Sequence, residues 1–131
     1  VADLAWKVTI VSAVIAPTKA GTPWDQALFA DPRPDPYAGL ALGNDTFLDG
    51  LSPTIDNTET PNWNHSFGNY LESELIAQGL LVNIRDSDGL GVFETIGACT
   101  ITITSQDIAA GFVIRPTCGY ASNVRISFSS P

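Results

Sequence analysis

Hydrophobic and polar positions alternate along most of this chain, and no long helical period recurs. Residues 5–15 set Trp6, Val8 and Ile10 on one face and Lys7, Thr9 and Val11 on the other. A stretch punctuated by Pro and Gly, from Ala16 to Pro36, predicts a long loop. Short strands are expected near 37–43, 46–52 and 64–70. Leu80, Val82 and Ile84 alternate toward Asp86, and over 96–104 Cys99, Ile101 and Ile103 alternate with Ala98, Thr100, Thr102 and Thr104. Val124, Ile126 and Phe128 mark a last strand near 122–129. Ser105 to Gly111 reads as one helical turn, capped by Ser105 and ended by Gly111. Strands with turn signals at this spacing predict an all-β fold, an antiparallel eight-stranded β-sandwich. No repeat, low-complexity tract or linker divides residues 1–131, so they read as a single domain.

Composition narrows the class without changing that picture. An apolar share of 44%, a charged share of 15%, 11 Gly and 9 Pro describe a folded, turn-rich domain. No apolar run approaches the roughly 18 residues of a membrane-spanning helix. The chain begins at Val1 with no signal-peptide pattern, so it is expected to be an excised domain or a mature product of a longer protein. Fourteen Asp and Glu stand against six Lys and Arg, for a net charge of −8. The basic residues are scattered, with no cluster able to track a phosphate backbone, which argues against nucleic acid as a partner.

Cys99 and Cys118 are too far apart for a redox CxxC pair, and two Cys with the lone His65 are too few for zinc. A disulfide between them is the expected state, with two separate buried thiols as the alternative. The bridge would place the domain outside the cytosol, in an extracellular or periplasmic setting.

The candidate chemistry lies in acidic loops. Asp86, Asp88 and Glu94 crowd one strand-to-strand loop, and Asp25, Asp31 and Asp35 occupy a second loop over 24–36. Crowded carboxylates repel one another, and a hard cation with oxygen ligands relieves them. Calcium is the first ion to consider. In a sandwich, loops gather at the two ends, so Asp25, Asp35, Asp86, Asp88 and Glu94 converge if their loops share an end. An EF-hand starting at Asp86 fails, because its fifth and twelfth positions hold Leu90 and Gly97.

Four segments in order resemble the C2 domain, a calcium- and phospholipid-binding β-sandwich family. They are Trp24-Asp25, Pro34-Asp35-Pro36-Tyr37, Thr60-Pro61-Asn62-Trp63-Asn64-His65-Ser66-Phe67, and Asp86-Ser87-Asp88 with Glu94 three residues before Gly97. The resemblance implies a C2-like Greek key. It also implies one or two Ca²⁺ ions held by Asp25, Asp35, Asp86, Asp88 and Glu94, with backbone carbonyls near Trp24 and Ser87. Glu94 stands where the family usually has Asp, and the stretch from Asp25 to Asp35 is long and contains Pro32 and Pro34. These departures put the second ion and the placement of Asp25 in question, and the affinity is expected to be weak.

Apolar side chains flank the acids: Leu28 and Phe29, with Trp24, in one loop, and Leu90, Val92 and Phe93 in the other. They are candidates for contact with an anionic phospholipid surface or a protein partner. The expected function is a calcium-binding module that docks on phospholipid membranes in a calcium-dependent way. The alternative is an extracellular module that calcium stabilises for a structural or protein-interaction role without lipid. Trp63 is expected in or beside the core. Asn44-Asp45-Thr46 and Asn64-His65-Ser66 match the glycosylation tripeptide only at the level of chance. No Gly-x-Ser-x-Gly, His-Glu-x-x-His or paired-carboxylate cleft makes a case for an enzyme.

Overall fold

The computed structural model describes residues 3–25 and 31–131. Among the described residues, ten strands and two short helices follow one another. The strands are β1 (Ala5–Ile15), β2 (Thr18–Lys19), β3 (Thr22–Pro23), β4 (Pro36–Leu42), β5 (Gly50–Leu51), β6 (Asn62–Leu71), β7 (Leu80–Ser87), β8 (Phe93–Ile101), β9 (Phe112–Cys118) and β10 (Ala121–Ser129). Helix α1 (Glu72–Gln78) lies between β6 and β7, and α2 (Ser105–Ala110) between β8 and β9. Eight strands form two four-stranded sheets, ordered β6-β1-β10-β9 and β5-β4-β7-β8, and every pairing is antiparallel. The predicted antiparallel β-sandwich is therefore the observed fold.

The period-two pattern explains the packing. Along β7, Leu80, Val82, Ile84 and Asp86 are buried while Leu81, Asn83, Arg85 and Ser87 are half-buried. From the facing sheet, Val8, Ile10, Val124, Ile126 and Phe128 complete the core. Burying an aliphatic side chain of this size contributes roughly 1.5–3 kcal/mol. Trp63 lies in the core, its indole Nε1 donating to the Pro36 carbonyl at 3.2 Å.

Several expectations are corrected. The strand foreseen over 46–52 shrinks to Gly50–Leu51, the rest being turn and bend. The cap of α2 is Thr104, not Ser105. Its hydroxyl accepts from the Asp107 N–H while the Asp107 carboxylate accepts from the Thr104 N–H, and Gly111 ends the helix in the left-handed region. Helix α1 and strand β9 had no counterpart in the pattern, and the loop over 16–36 contains the β2–β3 hairpin.

The two sheets are sewn together where β8 meets the β9–β10 turn. Cys99 and Cys118 form the expected disulfide, with Cα atoms 5.6 Å apart. The Tyr120 N–H donates to the Ile96 carbonyl at 2.8 Å. Gly97 lies so close to the Cys118 carbonyl that a Cβ there would overlap it.

Candidate metal centre

Asp86 arises from strand phase. It continues the inward face of β7 one step beyond Ile84, so the rule that buries the aliphatics also buries this carboxylate, to 0% exposure. Pairing with β4 sets Pro36 opposite Asp86, which brings Asp35 alongside. The Asp35 N–H donates to Asp86 Oδ1 at 2.8 Å, and the Asp35 carbonyl accepts from the Ser87 N–H at 2.9 Å. Asp86 Oδ2 is buried with no hydrogen-bond partner among the described residues. A buried carboxylate oxygen in that state costs free energy unless a proton or cation satisfies it.

Asp25 reaches the same place from the other sheet's connection. Trp24 anchors it: the indole is 2% exposed, donates from Nε1 to the Ala16 carbonyl at 2.8 Å, and meets Tyr120 edge-on at 5.7 Å. The length of the Asp25–Asp35 stretch, with its two prolines, does not displace Asp25. Carboxylate oxygens of Asp25, Asp86 and Asp88 all lie within 4.8 Å of one another. Asp35 stands beside this group, its Oδ1 accepting from the Asn57 N–H at 2.8 Å. Asp31 does not join, because the Arg33 guanidinium grips it through both carboxylate oxygens.

Glu94 owes its direction to a bulge. The β7–β8 register runs Ile84 to Gly97 and then Arg85 to Thr95, so Ile96 is an extra residue in β8. The insertion reverses the strand's phase and sets Glu94 opposite Asp86. Its Oε2 lies 3.4 Å from Lys19 Nζ in an ion pair, and the trio of acids meets without it.

The electrostatics follow from burial and like charge. Desolvation first, then the charges of Asp25, Asp88 and Asp35, push the Asp86 carboxyl up to about 7, against the stabilising Asp35 N–H. Asp25 is pushed up to about 6 by desolvation, by the charge and hydrogen bond of Asp35, and by Asp88 and Asp31. Asp88 is raised by desolvation, Glu94 and Asp35. Such a set holds protons more tightly than ordinary carboxylates do, and a hard divalent cation in the protons' place would offset both the repulsion and the burial of charge. The donor set, all carboxylate oxygen with one buried atom that has no partner among the described residues, suits a hard cation such as calcium.

The solved structures that resemble this chain share its architecture. The extended-synaptotagmin 2 fragment with SMP, C2A and C2B domains superposes with a TM-score of 0.64 at 18% identity, over 98% of this chain and 27% of that one. The C2A domain of plant extended synaptotagmin 1 does so at 0.61 and 13% identity, over 100% and 98%. The chain has the C2 fold. Human GIVD cytosolic phospholipase A2 in complex with methyl gamma-linolenyl fluorophosphonate also matches, at 0.61 and 17% identity, over 100% of this chain and 18% of that one. This C2 fold thus spans under a third of the extended-synaptotagmin 2 and phospholipase chains and nearly all of the isolated C2A domain. No protein-family model and no curated protein sequence matches the chain.

The loop tip beyond Asp88 is a strained turn. Gly89, Leu90 and Gly91 have φ of 82°, 50° and 79°, and the turn is closed by the Asp88 N–H to the Val92 carbonyl and the Val92 N–H to the Gly89 carbonyl, both 2.9 Å. Leu90, a branched side chain in the left-handed region, stands fully exposed at the apex, with Val92 exposed beside it. Phe93 sits lower, on the first residue of β8, with the Arg85 guanidinium 4.1 Å from its ring centroid. Leu28 and Phe29 fall outside the described residues. Trp24 belongs to the core, not to the tip; its place between Pro23 and Asp25, in a stretch that reads as loop, conceals that role in the sequence.

Proposed function

We propose that this chain is a calcium-binding C2 module that docks on phospholipid membranes when calcium is bound. The observation that carries the reading is the buried Asp86 carboxylate, which meets Asp25 and Asp88 and whose Oδ2 has no hydrogen-bond partner among the described residues. An ion there would be held by Asp25, Asp86 and Asp88, with Asp35 adjoining, and when bound it supplies positive charge and open positions for phosphate oxygens. The exposed Leu90 next to these acids supports the docking half of the reading. A branched residue kept at φ 50° costs about 1 kcal/mol, and at functional sites such strain is kept where it presents a side chain. The similar solved structures named as C2 domains of extended synaptotagmins support it as well. The disulfide supports a non-cytosolic setting, extracellular or periplasmic.

The experiment is a calcium titration followed by melting temperature, with sedimentation of anionic liposomes in parallel. Calcium raises the melting temperature by ligand linkage, and the protein pellets with liposomes only in its presence. Leu90→Ala with Val92→Ala weakens pelleting at least several-fold and leaves the melting shift intact. A calcium-raised melting temperature with no pelleting would replace docking by a calcium-stabilised interaction module, and no shift at millimolar calcium would remove both.

A further inference from the structure

Glu94 has the position of a fifth ligand, yet it already has a cation. It faces the same side as Asp86 because of the Ile96 bulge, and its carboxylate is paired with Lys19 at 3.4 Å. Lys19 is not on a wandering loop. It ends β2, one half of a hairpin whose two turn residues, Ala20 and Gly21, both have positive φ (52° and 89°), and the Gly21 N–H donates to Thr18 Oγ1 at 3.2 Å. The hairpin hangs between β1 and Trp24, so the buried indole that places Asp25 also places Lys19. One short segment therefore delivers an acid to the trio and a half-exposed ammonium to the acid beside it.

We propose that Lys19 acts as a resident cation that holds Glu94 out of the ion-binding cluster and limits the centre to one divalent ion. The ammonium neutralises the acid that a second ion would need, and its positive charge repels an ion on that side. This rests on the calcium reading above. The centre is then a one-ion site by construction, with the stoichiometry set by a residue that is not a ligand.

Calorimetric titration with calcium, checked by terbium luminescence sensitised from Trp24, tests the assignment on wild type, Lys19→Met, Glu94→Gln and the double variant. Wild type binds one ion. Lys19→Met gains a second, weaker step, and the double variant loses that step again. Glu94→Gln keeps one ion, bound more weakly than in wild type, since it removes a negative charge beside Asp88 and leaves the Lys19 ammonium unneutralised. Lys19→Gln serves as a second removal of charge. Two ions in wild type, or one ion of unchanged affinity in both lysine variants, overturns the role of Lys19 while the calcium reading stands. No binding in wild type overturns both.

Discussion

At the scale of single residues, Asp86 decides the behaviour of the centre. Ordinary strand alternation buries it, and like charges then surround it. Asp86→Asn keeps an oxygen to accept the Asp35 N–H and offers an amide N–H₂ to the neighbouring carboxylates. The variant is expected to melt higher than the calcium-free wild type, by about 1–3 kcal/mol from satisfying a buried polar atom, and to show no further rise with calcium. Thermal melts of both proteins with calcium and with chelator check this, and an Asp86→Asn protein that keeps the full calcium shift would show that Asp86 is not a ligand. Asp31→Asn is the contrasting change. Arg33 already neutralises that carboxylate, which is the last of the causes acting on Asp25, so calcium affinity should move by no more than about twofold.

At the scale of elements, the seam between β8 and the β9–β10 turn fixes the geometry of the loop end. Gly97→Ala would drive a methyl group into the Cys118 carbonyl, and with backbone on both sides neither can yield cheaply. A loss of about 1–3 kcal/mol is expected by denaturant unfolding, and an unaffected midpoint would mean that the two sheets can part there without cost. Reduction of Cys99–Cys118 should lower stability by roughly 3 kcal/mol in the loop-entropy account. The strands that bury one face were legible in the sequence: β1, β7 and β10 alternate because their inner and outer environments differ, whereas β4 is buried almost from end to end. Other elements carried no such signal. Strand β9 exposes Phe112 and Ile114 and contains Pro116, an edge-strand pattern that looks like loop when read alone. Helix α1 buries only Leu75, one residue being too few to show a period. The acids of the centre were legible as clusters on two loops, but sandwich geometry left their convergence conditional on the loops sharing an end, and the structure brings together Asp25, Asp86 and Asp88. The pairing of Glu94 with Lys19 was not, because it depends on a one-residue bulge and on a hairpin inside what reads as loop.

At the scale of the whole molecule, the centre couples stability to pH and to calcium in opposite senses. Asp86 and Asp25 have folded-state values of about 7 and about 6 against an ordinary value of 3.8, so the folded chain holds protons that the unfolded chain has released. Stability of the calcium-free protein should therefore fall as pH climbs from about 4 to about 7 and level off above that. Asp31, held down to about 2 by Arg33, acts in the other direction but only below this window: its contribution is complete above the ordinary value and is lost in stronger acid. Calcium requires the deprotonated acids and must displace those same protons. Its effect on the melting temperature should accordingly be small at pH 5, grow through pH 6 to 7, and be largest near pH 8, where repulsion is fully developed. With a net charge of −8, the rest of the surface stays acidic after one divalent ion binds, so attraction to an anionic membrane is confined to the loop end and fades as protons replace the ion. Melting curves across this pH range, with and without calcium, decide the matter: a calcium shift of constant size from pH 5 to 8 would mean that the ion does not bind at the buried acids, whatever it does elsewhere on the surface.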